Sequence, residues 1–168
     1  MKKTFLSLIL IIFSLTTVLA QNSKTVDTIP PYKKNPSIPE FKIVTPDSLW
    51  YAKENVPQNK PFVIIYFSPD CGHCQFEAKE LIKHSEDFKN VTFLWVSFHP
   101  LVAIKAFAAQ YGLDKFPNMI YGRDPKYFLP SFYKVEFTPY MAVYNTAGSF
   151  VKEFREGAKP EELLEIVK

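Results

Sequence analysis

The stretch Phe62–Glu77, FVIIYFSPDCGHCQFE, joins an apolar run to the only two cysteines of the 168-residue chain. Phe62 to Phe67 is continuously apolar and rich in β-branched and aromatic residues, the pattern of a central parallel strand covered on both faces. From Cys74 the apolar positions Ala78, Leu81 and Ile82 recur at helical spacing, which predicts a helix whose buried stripe begins at the second cysteine. A structural disulfide should tie distant segments, because closing a longer loop removes more unfolded-state entropy. A bridge across two intervening residues removes little, so the pair points to chemistry.

Downstream, Val91–Val96 predicts a second strand and Leu101–Tyr111 a second helix, with Gly112 as its C-cap. Phe116–Tyr121 reads as a loop and short strand. "DPKYF" reads as a short helix from Asp124 that Pro130 should end or kink. Tyr140–Tyr144 and Ser149–Phe154 predict two strands joined by the turn "NTAG". Pro160-Glu161-Glu162 starts a last helix with Leu163, Leu164 and Val167 facing inward. Upstream, "FKIV" from Phe41 suggests a short edge strand, and "TPDSLWYAKEN" a short helix with Thr45 as N-cap and Pro46 at its first position.

The chain opens Met1-Lys2-Lys3, then runs apolar from Phe5 to Leu15, with Val18 and Ala20 at the small-residue positions of a cleavage site. This predicts a secretory signal peptide over residues 1–20. A retained anchor is the alternative, but a spanning helix needs about 20 apolar residues and Ser7 and Ser14 interrupt this run. No cysteine follows the site for a lipid anchor. Residues 21–40 hold Pro30, Pro31, Pro36 and Pro39 and are expected to be an extended, poorly packed lead-in. The folded domain is then 41–168. Losing Lys2 and Lys3 takes the formal charge from +3 to +1, and a nearly neutral chain has no nucleic-acid footprint. Export to the periplasm or exterior places the cysteines in an oxidising compartment, where a lone C-x-x-C is a redox couple or part of a metal site.

The sequence resembles the thioredoxin superfamily through "FVIIYFSPDCGHCQFE" on the strand-to-helix turn and "FTPYMAVYNTAGSF" about 65 residues later. "FP" at Phe116-Pro117 and "YKVEFTP" from Tyr133 make it most similar to exported proteins of the TlpA and ResA type. The resemblance spans about Phe41 to Lys168 and implies an α/β, thioredoxin-like fold, a central mixed β-sheet flanked by helices. It implies a thiol–disulfide oxidoreductase with no cofactor, working as a monomer on protein thiols and disulfides and served by an upstream redox partner protein.

The cysteine roles follow from helix physics. A thiolate at a helix N-terminus faces unpaired backbone N–H groups and the positive end of the macrodipole. Cys71 should therefore be the nucleophile and Cys74, one turn further in, the more buried resolving thiol. His73 as an imidazolium would favour the Cys71 thiolate, an effect the resemblance to the CGHC of protein disulfide isomerases also implies. Its other reading is an exposed loop histidine. Asp70, where thioredoxins usually have tryptophan, would raise the Cys71 pKa if it pointed inward, or would cap the helix.

The resemblance also implies a cis bond at Thr138-Pro139, with the Thr138 backbone pairing with a substrate peptide opposite the first cysteine. Many thioredoxins carry a carboxylic acid six residues before that cysteine, but Ile65 stands there. The TlpA and ResA group has a glutamate at the position of Glu77, which would take a proton from Cys74. A solvated helix glutamate is the other reading.

Two further classes stay open. Cys71, Cys74, His84 and His99 could form a metal site only across histidines that match no usual ligand spacing, so no metal is expected; a metallochaperone would need one. A peptide-binding module with a redox-silent pair is the second.

Overall fold

The computed structural model describes residues 29–168, so the expected signal segment and residues 21–28 lie outside the described residues. A seven-stranded mixed sheet runs through the domain in the order β2-β1-β5-β4-β3-β6-β7. Its strands are β1 (Lys42–Val44), β2 (Trp50–Ala52), β3 (Phe62–Tyr66), β4 (Thr92–Ser97), β5 (Met119–Arg123), β6 (Tyr140–Tyr144) and β7 (Phe150–Phe154). Its helices are α1 (Pro31–Lys34), α2 (Gly72–Lys83), α3 (Leu101–Tyr111), α4 (Phe128–Tyr133) and α5 (Pro160–Val167). β3 pairs parallel with β4 and antiparallel with β6, with Ile65 opposite both Trp95 and Met141.

Successive side chains of a strand point to opposite faces, and the two faces of β3 feed two cores. Val63 and Ile65 pack with Trp95, Met141 and the inward residues of α2, α3 and α5. Phe62, Ile64 and Tyr66 pack with Leu94, Ala142, Tyr144 and residues of α1 and α4. Burial on both sides explains why β3 and β6 read as unbroken apolar runs. Gly112 caps α3 with φ 78°, the left-handed conformation that glycine adopts without a Cβ penalty.

Four expectations are corrected. Residues 29–40 are not an unpacked lead-in: Tyr32 and Ile38 are buried in the second core, and Ser37 bridges to Ser149. The prolines lower the ordering cost of this segment, with Pro31 opening α1, and burial of Tyr32 and Ile38 contributes to offsetting the rest. Burying one such side chain is worth about 1.5–3 kcal/mol. The expected helix after Thr45 is instead a turn, β2 and a short 3-10 turn at Lys53–Asn55. The Thr45 hydroxyl donates to the Leu49 carbonyl, Ser48 takes φ 65°, and the chain folds back so that Tyr51 stacks on Phe41. "FKIV" is therefore an inner strand, and β2 forms the edge.

The expected helix at Asp124 lies further on, as α4, with Pro130 inside its first turn instead of ending it. No intrahelical N–H is needed there, so proline costs little. Asp124 is buried and accepts from the Leu129 N–H at 2.8 Å, satisfying one of the free donors at the start of α4.

Candidate active site

β3 delivers the chain to the N-terminus of α2, where Cys71 is the N-cap with extended backbone. The Gln75 side-chain amide donates to the Pro69 carbonyl at 3.1 Å and holds the turn. Cys71 is partly exposed, Cys74 is fully buried, and both are free thiols. The Cys71 thiol donates to the Thr138 carbonyl at 3.3 Å, and the Thr138–Pro139 bond is cis. Two motifs far apart in sequence thus meet at one sulfur.

The two thiols have opposite electrostatics. Burial would raise the Cys71 thiol, but the N–H and thiol of Cys74, Thr138 and the His73 N–H together hold it below its ordinary value. Hydrogen bonds to the charged form favour that form. Burial pushes the Cys74 thiol up to about 12, opposed by the Ser68 backbone. The outer sulfur is thus readied as thiolate and the inner one kept as thiol.

Glu77 lies on the same buried face of α2 as Cys74 and Ala78, only 5% exposed. Its Oε2 accepts from the Ala158 N–H at 3.2 Å; its Oε1 is buried with no hydrogen-bond partner among the described residues. Burial raises its carboxyl to about 7, opposed by the Ala158 N–H and reinforced by the Glu80 charge. Gly157, with φ 90°, is wedged between Glu77 and Pro139: a Cβ there would collide with Glu77 Oε2 and lie 3.2 Å from Pro139 Cγ.

The His73 side chain is exposed, and what it brings to Cys71 is its backbone N–H. Asp70 is exposed as well. Cys71, Cys74, His84 and His99 are not gathered at one point. His84 is the C-cap at the far end of α2, with Nδ1 3.3 Å from Asp87 Oδ2, while His99 Nε2 lies 3.2 Å from Ser68 Oγ.

Sequence reasoning missed Ser68, Gly157 and Ala158, which act through backbone atoms or through the absence of a side chain. The Gly157 and Pro160 of "REGAKP" mark a turn before α5, but no residue type there signals a donor for a carboxylate.

A family model described as Thioredoxin matches residues 41–128, more than half of the chain. No curated protein matches the sequence. Among solved structures, DsbF of MTB superposes with a TM-score of 0.66 at 23% identity, covering 76% of this chain and 92% of that one. A secreted Mycobacterium tuberculosis disulfide oxidoreductase homologous to E. coli DsbE gives 0.62 at 24%, covering 76% and 94%. A thiol-disulfide oxidoreductase from Bacteroides fragilis gives 0.64 at 13%, covering 79% and 99%. At these identities the likeness is one of fold.

Proposed function

This chain belongs to the thioredoxin family, and we propose that it is an exported enzyme that exchanges disulfides with protein substrates through Cys71 and Cys74. The observation that carries the reading is the asymmetry of the pair: a partly exposed, thiolate-favouring Cys71 at a helix N-cap beside a buried, protonated Cys74.

In the reducing direction, the Cys71 thiolate attacks one sulfur of a client disulfide. A Cys71–client bond forms, the client S–S bond breaks, and the other client sulfur leaves as thiolate. The client strand lies against the backbone of Thr138, and Pro139 has no N–H to compete for it. The Cys74 thiol then passes its proton to the Glu77 carboxylate, and its thiolate attacks Cys71 Sγ. The bond to the client breaks, its second sulfur also leaves as thiolate, and the two client thiolates take up the proton from Glu77 and one from solvent. Two electrons have moved from the Cys71–Cys74 dithiol to the client, and a thiol donor protein must reduce the pair again. The reverse sequence delivers a disulfide.

Glu77 suits the proton step because it shares the buried face with Cys74 and titrates near neutrality. General-base assistance of this kind contributes about 10²–10⁴ in rate. His73 supports the Cys71 thiolate through its N–H, and its imidazole, when protonated, adds positive charge at the same turn. Cleavage after Ala20 would release the domain to the periplasm or exterior, where oxidised clients occur.

The test is catalysed reduction of insulin by the purified domain with dithiothreitol as donor. We expect clear acceleration over dithiothreitol alone, abolished in Cys71→Ser. A domain that adds nothing to the uncatalysed rate contradicts the reading.

A further inference from the structure

We propose that His99 is a positioning residue of the redox centre: paired with the Ser68 hydroxyl, it holds the Ser68 backbone N–H against the buried Cys74 sulfur and so sets the rate at which Cys74 resolves a mixed disulfide. The inference rests on the dithiol reading above and adds to it a residue from the end of a second strand.

β3 and β4 pair in parallel, so the loops that leave their C-terminal ends lie side by side, where open α/β sheets place their functional groups. Ser68 stands on the first loop, three residues before Cys71, and His99 on the second, two residues before α3. Ser68 Oγ and His99 Nε2 are 3.2 Å apart, a hydrogen bond that either atom can donate. The His99 end is itself anchored: its backbone N–H donates to the hydroxyl of the fully buried Ser97 at 3.3 Å, and its ring packs on Phe98.

Ser68 meets both cysteines. Its carbonyl accepts from the Cys71 N–H at 3.1 Å, closing the turn that presents the outer sulfur. Its N–H faces the Cys74 sulfur and is the foremost group that opposes the effect of burial on that thiol. Pro69, next in the chain, has no N–H to take its place. The Phe67 N–H donates to the Val96 carbonyl at 2.9 Å, and past that point the His99–Ser68 pair extends the tie between the two loops up to the dithiol turn.

The chemistry gives this contact a direction. Only the Cys74 thiolate attacks, and a hydrogen bond to a charged atom is about twice as strong as a neutral one, so the Ser68 N–H counts most when Cys74 loses its proton. If that N–H drifts away, a tenfold loss of thiolate is returned about threefold as nucleophilicity, which leaves the resolving step about threefold slower. The Cys71 thiolate is served by other groups, the N–H groups of Cys74 and His73 and the Thr138 contact, so the first attack on the client should not change.

Rapid mixing of the reduced protein with a peptide disulfide, acid quenching and mass spectrometry read the two steps separately. The adduct on Cys71 forms with second-order kinetics and decays, as Cys74 resolves it, with first-order kinetics. His99→Leu and Ser68→Ala should each slow decay about threefold and leave formation within about 1.5-fold of the parent. The double variant should also decay about threefold slower, because two residues of one contact do not add. His99→Gln, whose neutral amide nitrogen reaches the place of Nε2 and can donate to the Ser68 hydroxyl, should restore decay to within about 1.5-fold.

Decay at the parent's rate in His99→Leu, equal slowing of formation and decay, effects that multiply in the double variant, or a His99→Gln protein as slow as His99→Leu overturns the proposal. A parent that forms no adduct sinks the dithiol reading instead. Hydrogen exchange at the Ser68 amide, followed by NMR, then decides the contact alone: exchange about tenfold faster in His99→Leu and restored in His99→Gln supports it. Unchanged exchange in His99→Leu, or no restoration by glutamine, overturns it.

Discussion

The Cys71 thiol donates to the carbonyl of Thr138 at 3.3 Å, across a sequence separation of 67 residues. This contact joins the strand-to-helix turn to the loop before β6, and under the proposed function a client sulfur that reaches Cys71 meets the backbone of the Thr138–Pro139 pair. Loss of either element should disable exchange without unfolding the sheet between them.

Cys71 should be the only readily alkylated thiol. Its rate of reaction with iodoacetamide should rise with a midpoint below the free-thiol value of about 8.5, because N–H groups at the helix start favour the thiolate. Cys74, buried and pushed up to about 12, should stay unlabelled in the folded protein. Peptide mapping after labelling at several pH values reads both; equal labelling of the two would remove their distinct roles.

Glu77→Gln should have two signatures. Resolution of a Cys71 mixed disulfide should slow by up to about 10²-fold near neutral pH, and the parent's rise in rate through pH about 7 should be absent. Stability should move the other way. The Glu77 carboxyl is raised in the folded protein from 4.5 to about 7, so its contribution is fully present below about pH 4.5 and is lost as pH rises through about 7. Denaturant unfolding of the parent should therefore lose up to roughly 3 kcal/mol across that window through this group. The Gln variant, which keeps an acceptor for the Ala158 N–H, should lose that much less.

Gly157→Ala should destabilise the domain by about 1–3 kcal/mol, since φ 90° is strained for alanine and its Cβ would collide with Glu77 Oε2. Displacing Glu77 from the Ala158 N–H should slow resolution as well. Stopped-flow kinetics under folding conditions separate the two effects; an unchanged resolution rate would detach the loop from the proton step.

Tyr32→Ala should cost about 3–5 kcal/mol by opening a cavity between α1, α4 and the sheet. Tyr32→Phe should cost about 1.5–3 kcal/mol, because the hydroxyl donates to Glu153 Oε2 at 2.7 Å and that carboxylate also serves Tyr140. Thermal or denaturant unfolding checks both. If neither variant shifts the transition, residues 29–40 are dispensable to the fold.

The sheet's centre and the dithiol were legible because each rests on a local pattern: the apolar run of Phe62–Phe67, the C-x-x-C, and the stripe that follows Cys74. Glu77 was legible as a position, and its burial was not, because that depends on the Gly157 loop arriving from 80 residues further on. The N-terminal segment was misread for a related reason. Its proline-rich composition describes its local stiffness, while Tyr32 is buried by α4, β6 and β7, elements that no window around residue 32 contains. "TPDSLWY" carries helix-start signals that lost to strand pairing, since the alternation of Trp50 and Tyr51 lets Tyr51 stack on Phe41.

Trapping decides the order of attack. Cys74→Ser, reduced and mixed with a peptide disulfide, should accumulate a covalent adduct on Cys71, visible by mass spectrometry as the protein plus one half of the peptide. It should persist until an external thiol is added. Cys71→Ser should form no adduct on the same timescale. Adducts on Cys74 of the Cys71→Ser protein, or none on either variant, would contradict a nucleophilic Cys71 resolved by Cys74.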